Sequence, residues 1–143
     1  MSAGTSSPLL RTIQQGSVYY FPDQILSSSE PHYFIVINKN PAKDKILLLV
    51  CASSKVKEVE QSRALWRGKT VVKIYKTAYK GFNIDSIVDC NCVFEKGLKD
   101  LEGILRSGKL KIKPIMDRTI VDKLIDAVLE SDVVEEYIKD MLR

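Results

Sequence analysis

His32 is the only histidine of the chain, and it stands at the head of an apolar run, Tyr33-Phe34-Ile35-Val36-Ile37. Ser53 and Ser54 close a second run, Ile46 to Ala52, and Lys55 and Lys57 follow at once. An imidazole has an ordinary pKa of about 6.5, so it can act as acid or base near neutrality. A serine hydroxyl orients a phosphate oxygen by hydrogen bonding, and lysine ammonium groups neutralise the charge that develops there. Glu30, two residues before His32, offers a carboxylate as a partner for the base. These groups suffice for metal-free cleavage of a phosphodiester. One deprotonates the attacking hydroxyl, one protonates the leaving oxygen, and the cations steady the phosphate. The condition is that the two runs be neighbours. The bland alternatives are that His32 only caps an edge strand and that Glu30 is a solvated loop acid.

The elements that must meet this condition are strands. Gly16-Ser17-Val18-Tyr19-Tyr20-Phe21-Pro22 alternates as a strand with one wetter face. Tyr33 to Ile37 and Ile46 to Ala52 are continuous apolar runs, expected as central strands buried on both sides. Asn40-Pro41-Ala42-Lys43-Asp44 supplies turn chemistry between them. The three are expected to form an antiparallel meander, which would bring His32 near Ser53 or Ser54. Further strands are expected at Thr70 to Tyr75 and at Ser86 to Phe94, and five short strands suggest a small barrel or curved sheet. The charged stretch Ser54 to Gly68, interrupted by Val56, Val59, Leu65 and Trp66, is expected as a short helix or a long excursion.

Helices dominate the remainder. Leu98, Leu101 and Leu105 fall at helical spacing, with Gly108 placed to end that helix. Lys109 to Pro114 alternates as a short strand. Ile120, Val121, Leu124, Ile125, Val128 and Leu129 form an apolar stripe. Asp132 with Glu135 resembles a capping box ahead of a last helix reaching Leu142. That helix is expected to close the core or to serve as a dimer element.

A chain of 143 residues with 45% hydrophobic content can bury a core without staples. No apolar run approaches the roughly 20 residues that span a bilayer, and no membrane role is expected. Charge is uneven. From Lys39 to Lys80 there are eleven Lys/Arg against three acids, a local net of +8, while Pro114 to Arg143 carries four Lys/Arg and eight acids, a net of −4. A basic middle segment suits a phosphate-rich partner. The alternative is a set of lysines scattered over an ordinary surface. Tyr19, Phe21, Tyr33, Trp66 and Tyr75 could stack bases, although aromatics in strands are more often core.

Cys51, Cys90 and Cys92 are odd in number and lie in strand-like runs, which points to buried thiols in a reducing, cytoplasmic compartment. With His32 they number four possible ligands, but no Cys-x₂₋₄-Cys knuckle is present, so neither a metal nor a cofactor is expected. Glycine-rich phosphate loops, a nucleophile elbow and a His-Glu-x-x-His pair are absent from the sequence.

Taken in order, these landmarks resemble the MazF/PemK/Kid family of toxin endoribonucleases, an SH3-like barrel with C-terminal helices. Gly16-Ser17-Val18-Tyr19 resembles the family's opening Gly-Asp-Val/Ile-aromatic strand. Ser29-Glu30 resembles the Gly-(Ser/His)-Glu segment after it, and His32-Tyr33-Phe34-Ile35-Val36-Ile37 the Arg-Pro-Val-Val-Ile-Ile strand. Leu49-Val50-Cys51-Ala52-Ser53-Ser54 resembles the strand ending Pro-Ile-Thr-Ser. Lys109-Leu110 through Met116, and the helix ending at Ser131, resemble the family's last strand and core helix. The likeness covers about residues 14 to 131.

Length and composition fit a single domain over residues 14–143 behind a disordered tail, 1–13; the resemblance implies a mainly β, α+β fold, to which the last helix, beyond Ser131, is additional. It implies metal-independent cleavage of single-stranded RNA, an antitoxin partner and a homodimer. The family's catalytic Arg and Thr fall on His32 and Ser53, and Glu30, Ser54, Lys55 and Lys57 are expected to hold substrate. Ser53 keeps the hydroxyl, but His32 is not an obligate cation, and Tyr33 replaces the family's Pro. The competing expectation is a catalytically silent SH3-like barrel that binds RNA or a protein.

Overall fold

The structure, a computed structural model, describes residues 8–23, 30–57 and 70–143. Its centre is a mainly antiparallel sheet of seven strands: β1 (Val18–Pro22), β2 (Pro31–Val36), β3 (Ile46–Ser53), β4 (Val71–Ile74), β5 (Ser86–Asp89), β6 (Phe94–Gly97) and β7 (Lys111–Lys113). The order across the sheet is β4-β5-β3-β2-β1-β7, with β6 lying on β3 beyond β5. Among the described residues no ladder joins β4 to β7. The fold is of the α+β class.

Both faces of this sheet are covered, which explains why β2 and β3 are apolar throughout. Ile35, Leu48, Val50 and Ala52 point to one face, where they pack with Val121, Leu124 and Val128 of α4 (Arg118–Glu130) and Ile138 and Leu142 of α5 (Glu136–Leu142). Phe34, Val36, Leu47 and Leu49 point to the other. They meet Leu9 of α1 (Pro8–Thr12) and Leu98 and Leu101 of α3 (Leu98–Arg106). Burying one such side chain stabilises the fold by roughly 1.5–3 kcal/mol.

α1 corrects part of the expected tail. Residues 1–7 lie outside the described residues, but Pro8–Thr12 is helical and Leu9 and Ile13 are buried against the sheet. Five residues with so little apolar content leave no periodicity to read. Their order comes from tertiary contact.

Local chemistry sets the strand ends. Gly16 has φ +94°, and its N–H donates to Val36 O at 2.8 Å while its own carbonyl receives Met116 N–H at 2.9 Å. A Cβ there would lie 3.2 Å from Met116 O, so only glycine suits this opening. Between β2 and β3 the expected turn is the short helix α2 (Pro41–Asp44), with Pro41 at its start. Buried Asn38 closes the loop: its Oδ1 receives Leu48 N–H at 3.0 Å and its Nδ2 donates to Ile46 O at 2.8 Å.

The strand expected over Ser86 to Phe94 is broken. Val88 faces Ala52 and Phe94 faces Leu49, so five residues (89–93) oppose two (50 and 51) and the chain must bulge. Asn91 holds the bulge, donating from Nδ2 to Thr70 Oγ1 (3.0 Å) and Asp89 Oδ1 (2.9 Å) and accepting the Ser131 hydroxyl (2.7 Å). The capping box at Asp132 does not form. The helix starts four residues later, at Glu136, and Ser131 Oγ instead receives Val133 N–H, tucking Val134 into the core. Gly108 does end α3, with φ +80° and its N–H on Leu105 O.

Candidate functional site

His32 and Ser53 come together through strand pairing. β2 and β3 run antiparallel with Tyr33 opposite Ala52 and Phe34 opposite Cys51. His32 and Ser53 are the next residues beyond the last pair of this ladder, and continuing its register by one step would set them across from each other. Alternation puts both side chains on the α3 face, with Phe34 and Cys51 next along their strands. Both are half-buried, and on its other side His32 pairs with fully buried Phe21 of β1. The imidazole therefore sits at the rim of a packed layer, backed by an aromatic stack: the Phe21 and Phe34 rings lie 4.5 Å apart at 26°.

The imidazole is oriented by one contact. Its Nδ1 lies 3.0 Å from the backbone carbonyl of Glu30. A carbonyl oxygen only accepts, so Nδ1 carries the proton. In the neutral ring this leaves Nε2 with its lone pair, the form a general base requires. Glu30 thus bears on His32 through its main chain, and its exposed carboxylate is placed at the same end of the sheet.

The Ser53 hydroxyl accepts Lys55 N–H at 3.1 Å, which turns the chain as β3 ends. Its own proton stays available for donation. Ser54, Lys55 and Lys57 are exposed, and Val56 and Lys57 form a helical turn directly after the strand. The structure thus brings Glu30, His32, Ser53, Ser54 and Lys55 to one end of the β2–β3 pair, with Lys57 just beyond. The charged stretch expected over Ser54 to Gly68 falls mostly on 58–69, outside the described residues, as do Ser29, Val59, Leu65 and Trp66.

The cysteines are not one group. Cys51 packs on the α3 face and Cys90 on the α4 face, so the sheet divides them. Burial, with neighbouring Cys92 and Asp23, pushes the Cys51 thiol up to about 12, and burial raises Cys90 further. Cys92, expected in a strand, lies in the bulge and is exposed. Among the described residues no three His, Cys, Asp or Glu side chains gather as a metal-ligand set. Nor is any helix among them long and apolar enough to cross a membrane.

A cavity of about 550 Å³ opens at the other end of β2, between Gln14, Lys39, Met116 and Arg118. None of the candidate residues lines it. Of the aromatics named from sequence, Tyr19 and Phe21 are core, Tyr33 is half-buried and Tyr75 is exposed. Tyr20, half-buried, pairs with Tyr33 across β1 and β2, an exposure that the wetter face of β1 signals in the sequence.

The chain matches no protein-family model and no curated protein.

Proposed function

We propose that this protein is a toxin-like endoribonuclease that cuts single-stranded RNA without a metal, built on an SH3-like barrel of the MazF/PemK type. The observation that carries this reading is the antiparallel β2–β3 ladder, whose last pair, Tyr33 with Ala52, leaves His32 and Ser53 next along their strands, with His32 Nδ1 already engaged. In the mechanism, Nε2 of His32 takes the proton of the ribose 2′-hydroxyl, and the oxygen attacks the adjacent phosphorus. The P–O5′ bond breaks, leaving a 2′,3′-cyclic phosphate. The imidazolium returns the proton to the departing 5′-oxygen. Ser53 donates to a non-bridging phosphate oxygen, and Lys55 and Lys57 offset its negative charge. Glu30 and Ser54 hold the substrate beside them.

The resemblance set out above extends this reading to a cytoplasmic homodimer held in check by an antitoxin. A second reading, a silent RNA-binding barrel, is favoured by one feature: His32 replaces an obligate cation. The experiment that separates them is incubation of the full chain with fluorescent single-stranded RNA in EDTA, beside His32→Ala. Cleavage by the wild type that the variant loses supports the nuclease. Salt-sensitive binding without cleavage selects the silent barrel.

A further inference from the structure

On the α4 face, directly behind the candidate site, lies a second chemically distinct surface. Tyr20 and Tyr33 are cross-strand partners there, with ring centroids 4.4 Å apart. Both are half-buried, whereas the next pair on that face, Val18 and Ile35, is fully buried. The two tyrosines therefore mark where the core ends and solvent begins. The Tyr33 ring is braced from behind by Phe82, edge-on at 5.0 Å, and Phe82 by Tyr79, edge-on at 4.7 Å. The Tyr79 hydroxyl in turn donates to the Pro114 carbonyl.

One cation lies over the rings and a second beside them. Lys113 places its ammonium 5.5 Å from the Tyr20 centroid and 5.8 Å from that of Tyr33. Lys111 is the strand partner of Tyr20 and is exposed. The ion pairs among the described residues include neither lysine. At the rim, Pro22 faces Pro31, and neither offers an N–H with which another strand could pair.

We propose that Tyr20, Tyr33, Lys111 and Lys113 form a base-stacking platform for single-stranded RNA. Braced, half-exposed rings accept an unstacked base once the flexible Lys113 side chain swings from over them to a flanking phosphate, with Lys111 beside Tyr20 taking another. The bases of a duplex are already stacked, so a paired strand has nothing to offer the rings. A proline-rich peptide also docks on aromatic surfaces, but two adjacent cations favour a polyanion. His32 lies between Pro31 and Tyr33 on β2 but points to the opposite face, so a strand stacked on the platform would have to cross the rim of the sheet to reach the proposed chemistry. The proposal rests on the RNA reading and adds where the bases go.

The test is fluorescence anisotropy of a short labelled 2′-O-methyl oligouridine, which lacks the attacking hydroxyl and stays intact, with melting curves to verify folding. Tyr20→Leu and Tyr33→Leu keep apolar bulk but lose the ring, and each is expected to weaken binding about tenfold or more. Tyr33→Phe should restore what Tyr33→Leu loses. Lys111→Gln and Lys113→Gln lie at the surface and should each lower the salt slope by about 0.7, so they decide the matter if a leucine variant melts early. Tight RNA binding that ignores all four changes, yet falls with Lys55→Gln and Lys57→Gln, overturns the platform and leaves the RNA reading standing. A wild type that binds no RNA, or that binds a proline-rich peptide in its place, overturns both.

Discussion

The two ends of the β2–β3 pair are built from similar polar groups put to opposite use. At one end Asn38 is completely buried, and its amide substitutes for missing backbone partners at Ile46 and Leu48. At the other, His32 and Ser53 are half-buried, and among the described residues each bonds to main chain two residues away, at Glu30 and Lys55. Local bonds orient a side chain without tying it to the rest of the fold. A buried group that closes a loop works for stability; a rim group held only by its neighbours is free for chemistry. The same sheet layer supports both.

The comparison is broken most easily at the rim. His32→Ala should slow RNA cleavage by about 10²–10⁴-fold, the range for loss of a general base, while the melting temperature stays near that of the wild type. A large drop in melting temperature would make His32 a structural residue like Asn38. At the closed end the reverse is expected. Asn38→Ala strands the buried Leu48 N–H and Ile46 carbonyl, which should cost about 3 kcal/mol in urea unfolding.

Ser53 gives a smaller and more discriminating effect. Ser53→Ala removes one hydrogen bond to the phosphate and should lower the cleavage rate about tenfold, with Ser53→Thr recovering most of it. Failure of threonine to rescue would point to the turn at Lys55 N–H, not to the hydroxyl's donation.

Cys51 lies on the layer beneath the rim and sharpens the comparison by pH. Its thiol is pushed from 9.0 to about 12, so the folded state keeps a proton that the unfolded chain gives up. The stability this confers is complete below about pH 9 and is lost as pH rises towards about 12. Urea midpoints should fall over that window, and less steeply in Cys51→Ala. In alkylation followed by mass spectrometry, exposed Cys92 should react first, Cys51 later, and Cys90 only on unfolding.

The central strands, and with them the placing of His32 and Ser53 at one end of the β2–β3 pair, were legible because they depend on local pattern. Tyr33 to Ile37 and Ile46 to Ala52 are apolar on both faces, and a short connection between them enforces antiparallel pairing. Other features depend on partners distant in sequence. The bulge at 89–93 continues the alternation of Ile87, Asp89, Asn91 and Val93, so nothing local announces it. It exists because Asn91 finds Thr70 and Ser131. Asp132 and Glu135 have the spacing of a cap, yet Ser131 supplies the turn and the helix starts later. Tyr20 reads as a wet position on an amphipathic strand. Only the register shows that it meets Tyr33 and that Lys113 reaches both rings.

If His32 and Ser53 act on one phosphate, a double-mutant cycle on the RNA cleavage rate shows it most directly. Cleavage is measured in EDTA for the wild type, His32→Ala, Ser53→Ala and the double variant. Groups that act as a unit give a double variant scarcely slower than His32→Ala alone, a strongly non-additive cycle. Two independent losses that multiply, or a wild type that leaves the RNA intact, would contradict it.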